Sequence, residues 1–485
     1  MLLSRRLATS LGAIVATTVV TAAAVPLAGA AAPAPADAAA ARDATSWLAG
    51  EFTDGTLPGP FGGQDWGLTI DGIIAMSATG GSAPTRQAAT GQVAAHVRSY
   101  NSYDDWGIEG FTDGGATAKL LYVASAAGAD PTDFGGYDLR AVTLSLIAGA
   151  DAGHQRGRIT SRTTADSGPD ASNTFDQSFA VLGLARSGDL PQDTVDFLVR
   201  QQCAAGGFRL YPDTADGPSP SCDEQPGATL DVDSTAMAVQ ALLAAADTGA
   251  TGASDAARRG ADWLVGQQHA DGSFGGSGPT TGANSNSTGL AGQALAAAGR
   301  DSQAAQAAHA LTGLQLTATN GGAAADDAGA IAYHPESFTS AVTAGITDTD
   351  RDQWRRATAQ ALLGLAQVPL GRIGLDLPPT SPTPTPTGTA TPTPTVSPTP
   401  TVAPTPTPTV TGTAGPSPSA TGAPATPSPT VSPTGTAAPS TTPAAPTLPG
   451  LPTTGTAIIG YVLVALLLIG GGVVLLVLGR RRRAQ

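Results

Sequence analysis

Between residues 41 and 375 the apolar positions of this chain recur at helical spacing. After Asp231, for instance, Ala236, Val239, Leu242 and Leu243 stand at i, i+3, i+6 and i+7, the stripe that an amphipathic helix buries. Alternating runs of β-branched residues, which would mark half-buried strands, are sparse. The helical stretches come in about six pairs, each with an apolar face that it cannot bury alone. Such hairpins stack in series, either as an open solenoid or as a closed ring.

The pairing is clearest in two consecutive units. In one, Arg259, Gly260, Trp263, Leu264 and Val265 lead to Gln267 and Gln268, then to Asp271-Gly272-Ser273-Phe274. A glycine-rich loop follows, and Asn284-Ser285-Asn286-Ser287-Thr288 opens an Ala- and Leu-rich helix. One unit earlier, Phe197, Leu198 and Val199 lead to Gln201 and Gln202, to Gly206-Gly207-Phe208, and to Asp231-Val232-Asp233-Ser234-Thr235. Weaker copies predict a helix from Asp71 after Phe61-Gly62-Gly63, one after Asp113-Gly114-Gly115, one after Asn173-Thr174-Phe175-Asp176, and a last one near Trp354. The glutamine is expected to cap a helix end, the glycine to turn the chain, and the aromatic to pack the loop on its neighbour. Asp, Asn and Ser at a helix start accept free backbone N–H groups, so capping is the first role expected of Asp231 and Asp233.

The two ends follow other patterns. Arg5 and Arg6 precede an alanine-rich apolar stretch reaching Ala28-Gly29-Ala30, which reads as a secretory signal peptide over residues 1–30, with a second candidate cut after Ala36-Asp37-Ala38. Residues 376–450 are almost entirely Pro, Thr, Ser, Ala, Gly and Val, and such a segment cannot bury a core. It is expected to be a disordered stalk, reaching roughly 200 Å if drawn out as polyproline II. Residues 457–479 carry no charge and are long enough, at about 1.5 Å per residue, to cross a bilayer as a transmembrane helix. The tail at 480–485 contains Arg480, Arg481, Arg482 and Arg483, which stay on the cytoplasmic side.

Charge narrows the partners. The chain holds 24 basic and 38 acidic residues, and six of the basic ones are the leader and tail arginines, so the exported part is strongly acidic. Nucleic acid is thereby excluded as a partner, since backbone phosphates need a basic surface. Lys119 is the one lysine in the sequence.

Two segments of the chain resemble those of known families. Leu451, Pro452, Thr453, Thr454 and Gly455, followed by the uncharged run and the arginines, resemble the sorting signal of sortase-anchored Gram-positive surface proteins. That resemblance implies cleavage after Thr454, with sortase and then peptidoglycan as partners, and a cell-wall location. The segment from Arg259 to Phe274 resembles the QW-type repeat of the squalene cyclase and prenyltransferase superfamily, with Phe274 and Phe208 where that family commonly has Trp. The resemblance implies an all-α fold, an α6/α6 toroid, over residues 41–375.

The superfamily holds enzymes and non-enzymes, so the chemistry has to come from individual residues. Asp231-Val232-Asp233-Ser234 resembles the DxDD motif of class II terpene cyclases, but its last position is serine. Cys203 and Cys222 stand in no metal spacing with the five histidines, so the zinc of protein prenyltransferases has no counterpart. An exported chain with two cysteines is expected to join them as a disulfide. A thioester is the alternative, because Cys222-Asp223-Glu224-Gln225 resembles the Cys-x-Glu-Gln core of internal thioesters. No catalytic residue, cofactor or metal is assigned. If toroid geometry gathers the inner-helix starts at one rim, Trp66, Asp71, Asp113, Asp176, Asp231, Asp233 and Asn286 form the expected ligand site, for an extracellular glycan or small polar ligand. A terpene cyclase-like or glycan-active extracellular enzyme is the alternative.

Overall fold

The computed structural model describes residues 35–214 and 217–375. The expected leader at 1–30, the 376–450 stalk, the 451–455 motif, the 457–479 apolar run and the 480–485 tail lie outside the described residues.

Fourteen α-helices occur among the described residues: α1 (Pro35–Gly50), α2 (Trp66–Thr79), α3 (Ala83–Ala95), α4 (Val97–Asn101), α5 (Gly114–Ala126), α6 (Leu139–Ser145), α7 (Thr174–Ser187), α8 (Gln192–Arg200), α9 (Val232–Asp247), α10 (Ala253–Gln267), α11 (Ser285–Ala297), α12 (Asp301–Gly313), α13 (Pro335–Ala344) and α14 (Arg351–Ala366). Helices α2, α5, α7, α9, α11 and α14 pack each on the next, and α14 packs back on α2. The six therefore form a closed inner ring, which decides between solenoid and ring in favour of the toroid. Helices α1, α3, α6, α8, α10 and α12 wrap it from outside. Strand structure among the described residues is slight: β1 (Phe208–Arg209) pairs antiparallel with β4 (Leu230–Asp231), and β2 (Asp213–Thr214) with β3 (Gly217–Pro218). No helix among the described residues is long and apolar enough to cross a membrane.

A repeated set of side-chain bonds explains why the ring closes. At the end of α8, Gln202 Nε2 donates to Gly206 O in its own loop and to Ala256 O on α10. At the end of α10, Gln268 Nε2 donates to Gly272 O and to Gln303 O on α12. After α12, Gln315 Nε2 donates to Gly329 O and to Ala40 O on α1, so the same bridge joins the last hairpin to the first. The glutamine is thus a tie between neighbouring outer helices as well as a local cap. The inner helices repeat a second device. Thr69, Thr235, Thr288 and Thr358, each in the first turns of its helix, accept at Oγ1 from the N–H of Leu57, Phe208, Phe274 and Ile331 in the preceding loops. These bonds seat Phe208 and Phe274 fully inside the core, as the repeat reading expected of them.

Two boundaries differ from the sequence reading. The first helix begins at Pro35, ahead of residue 41, and Asp37 and Ala40 are already buried. Helix α2 begins at Trp66 rather than Asp71, because the Asp65 side chain accepts the Leu68 N–H at 2.8 Å and so fixes the start a turn earlier. Cys203 and Cys222 are joined as a disulfide. The thioester alternative is thereby corrected: Cys222 has no free thiol, and Gln225 Oε1 accepts from the Arg209 guanidinium instead.

Candidate functional site

All inner helices run the same way, so their starts gather at one rim. Asp65, Asp113, Asn173, Asp231 and Asn284 are the N-caps of α2, α5, α7, α9 and α11, each accepting a first-turn N–H. These five side chains are committed to caps in this way, and the other polar groups of the rim lie within the first two turns of the same helices.

On the α2, α5 and α7 side, Lys119 Nζ meets Asp71 Oδ1 at 2.6 Å, with the lysine side chain only 3% exposed. Burial opposes the Lys119 charge, but Asp71, Tyr100 and Asp65 outweigh it and raise the pKa, so this lysine is a fixed cation. Asp176 is pushed up to about 8 by burial first and then by the neighbouring Asp113 carboxylate, whose own pKa is raised by burial. Asp176 Oδ2 also accepts the Asn173 N–H at 2.8 Å, completing a capping box. The Tyr100 hydroxyl is pushed up to about 12, chiefly by burial. These four groups and Asp71 act on one another electrostatically, and Asp71, Asp113 and Asp176 are the members of the expected site that the structure brings together here.

A consequence can be measured. The Asp176 carboxyl holds its proton more tightly in the fold than in the unfolded chain, so its contribution is complete below the ordinary carboxylate range and is lost as pH rises toward about 8. Thermal melts between pH 5 and pH 9 should therefore show falling Tm with rising pH, and Asp176→Asn, which keeps an acceptor for the Asn173 N–H, should flatten that slope. An unchanged slope in the variant would refute the assignment.

On the α9 and α11 side, Asp231 caps α9, its Oδ2 accepting from Ser234 N at 2.7 Å and Ser234 Oγ at 2.6 Å. Asp233 is 1% exposed and is pushed up to about 7, by burial first and by Asp231 second. Ser287 Oγ lies beside it and slightly offsets the rise, without making a hydrogen bond of good geometry. Asn286 is equally buried. Trp66 stands apart from these groups and stacks on His96 with ring centroids 4.6 Å apart. Asp71 was expected at a helix start; it lies in the second turn and serves the ion pair.

Sequence reasoning missed Lys119, Tyr100 and Arg356. Arg356 binds Asp65 and Asp352 and so neutralises the rim. The available signal was a single lysine in an otherwise apolar helical stretch.

Below the polar layer the axis is filled. A cavity of ≈ 50 Å³ remains, lined by Ile74, Tyr122, Phe179, Met237, Leu290 and Leu363 among others, with Asp71 and Lys119 at its edge. The segment after α14 closes the far rim. Its Leu370 carbonyl accepts from Tyr122 Oη and its Leu370 N–H donates to Gln240 Oε1, while Gln293 Nε2 and Arg186 donate to Val368 O and Gly371 O. A larger groove of ≈ 320 Å³ lies between α1 and the ends of α2 and α14, lined by Ala41, Thr45, Ala78 and Leu365, remote from the carboxylates. No group of three or more His, Cys, Asp or Glu suited to a metal occurs among the described residues.

No protein-family model matches this chain, and no curated protein matches it. Solved structures do. A protein from Actinoplanes is 18% identical, with 68% of this chain and 99% of that one covered at TM-score 0.44. An inactive variant of the α-1,6-mannanase GH76A of Salegentibacter, in complex with α-1,6-mannotriose, is 13% identical, with 69% and 99% covered at TM-score 0.47. A type II terpene cyclase from Scytonema with its substrate is 14% identical, with 70% and 97% covered at TM-score 0.42.

Proposed function

We propose that this chain is an exported surface protein whose toroid binds a neutral polar ligand, a glycan in first preference, without catalysing a reaction. In this reading residues 1–30 direct export, sortase cleaves after Thr454, and the 376–450 stalk carries the toroid away from the wall. The anchor rests on the order of the LPTTG motif, uncharged run and arginines.

The binding reading rests on one observation: Phe61 and Trp106, on the loops that enter α2 and α5, are 88% and 61% exposed at the polar rim. Exposed aromatic faces next to oriented polar groups suit the alternating CH and OH faces of a sugar ring. Trp106 is also held in place, its ring 5.1 Å from Tyr103, which stacks on Phe111 at 4.0 Å. The narrow axis argues against a lipid substrate, since the ≈ 50 Å³ left in it falls well short of the roughly 300 Å³ and more of ordinary ligand pockets. Asp113 and Asp176, the two neighbouring carboxyl groups of the rim, each hold a backbone N–H at a helix start, so capping accounts for both.

Replacing Trp106 by Ala should weaken ligand binding by about tenfold or more, as loss of a central aromatic anchor does. Its Tm should stay within about 1 °C, because an exposed side chain adds little to the core. Calorimetric titration and thermal melts of both proteins check this; equal affinity in the variant would remove the rim from the account.

A further inference from the structure

We propose that the starts of α9 and α11, with the glycine-rich loop at residues 275–284, form a calcium site in which Asp233 is the charged ligand and Ser287, Thr280 and Asn286 are neutral ones. Helical spacing sets the first part of the geometry. Asp233 and Asn286 stand one turn above Met237 and Leu290, which both face the axis, so the two side chains occupy the same layer on adjacent helices. The loop supplies the rest. A Cβ placed on Gly276 would run into Thr280 Oγ1 and stand 3.0 Å from Asp233 Oδ2 and 3.3 Å from Ser287 Oγ. Three side-chain oxygens from two helix starts and one loop therefore converge on the face of a residue that has no side chain.

Buried oxygens in these two first turns lack hydrogen to accept. Asp233 Oδ1, Asn286 Oδ1 and Ser287 Oγ have no hydrogen-bond partner in residues 1%, 2% and 0% exposed. Buried polar atoms are as a rule paired, and three unpaired acceptors on adjacent first turns, one of them a carboxylate oxygen, call for a cation. Two helix starts contribute about half a positive charge each, against two carboxylates from Asp231 and Asp233, so the local balance stays negative. Lys119 and Arg356, on the inner helices α5 and α14, are bound to Asp71 and to Asp65 and Asp352. An all-oxygen set of one acid and several neutral donors selects a hard cation and suits the weaker calcium sites, with Kd on the order of 10⁻⁴ to 10⁻³ M. The site stands independently of the glycan reading.

The test uses the full chain after treatment with a chelator. Calcium chloride at about 5 mM should raise Tm by about 3 °C, and magnesium chloride at the same concentration should not. Asp233→Asn and Ser287→Ala should each abolish most of the shift; if Asp233→Asn does not fold, Ser287→Ala decides. Terbium gives a second readout, because Tyr333, whose carbonyl accepts the Ser285 N–H at 2.8 Å, is placed to sensitise its emission. That emission should be displaced by calcium and lost in Tyr333→Phe. A wild-type Tm indifferent to calcium, or an equal shift in Ser287→Ala, overturns the proposal.

Discussion

Replacing Lys119 by methionine should destabilise the toroid by about 3 kcal/mol or more, at the lower end of the range for breaking a buried pair because Asp71 keeps 22% side-chain exposure. The loss comes from what is left behind. Without the ammonium, the Asp71 carboxylate sits in the inner ring facing Tyr100, Asp113 and Asp176 with no counter-charge, and hydrocarbon cannot solvate it. The ammonium also lies 5.7 Å from the centre of the Phe179 ring, a contact that methionine replaces only in part. Adding Asp71→Leu to Lys119→Met should recover most of the stability, since removing both charges removes the penalty. Urea unfolding followed by circular dichroism separates the cases. A single-variant loss below about 1 kcal/mol would mean that the pair is solvated and the axis more open than described.

The second large effect concerns closure of the ring. Gly329 has φ +105°, and a Cβ there would collide with the Asp43 carbonyl and approach Trp47 Cβ at 3.0 Å. Its own carbonyl accepts from Gln315 at 3.1 Å while the same amide reaches Ala40 O on α1 at 2.8 Å. Valine at 329 therefore strains the backbone and pushes the last loop off the first helix at the one seam where the chain's two ends of the toroid meet. The expected cost exceeds about 4 kcal/mol, enough to prevent stable folding in a domain of ordinary stability. Gly149→Val is the control, because nothing lies within 4 Å of a Cβ at Gly149 and its φ is −78°. Limited proteolysis should find the Gly329→Val chain cut throughout and the Gly149→Val chain intact; equal resistance would contradict the seam.

How much of this was legible depended on whether the determinant was local. The repeat unit announced the helix pairs, the loop phenylalanines and the capping Asp and Asn residues, because each acts within a few positions of itself. Ring closure was legible only in what the repeat's resemblance implied and not in the residues themselves, since the Gln315 to Ala40 bond spans nearly the whole domain and glutamine in a loop carries no sign of its partner. The start of α2 was misplaced for a related reason: Asp65 and Asp71 are both credible caps, and only the bond from Leu68 N–H chooses between them. Within the site, sequence chose the acids but not the lysine and arginine that neutralise them. It gathered Asp113 and Asp176 at one rim, where the fold sets them side by side, and Trp66, expected with them, stacks on His96. Phe61 was visible as an aromatic of the repeat, and only its exposure in the structure separates it from a core residue.

The central claim is that recognition takes place on the N-terminal rim and not along the axis. A glycan array probed with the full chain, and again with the Phe61→Ala and Trp106→Ala double variant, tests it most directly. The account predicts that wild-type protein retains a defined set of neutral glycans and that the double variant, still folded by its melting curve, loses them. Retention of the same glycans by the double variant, or no glycan retained by either protein, would contradict it.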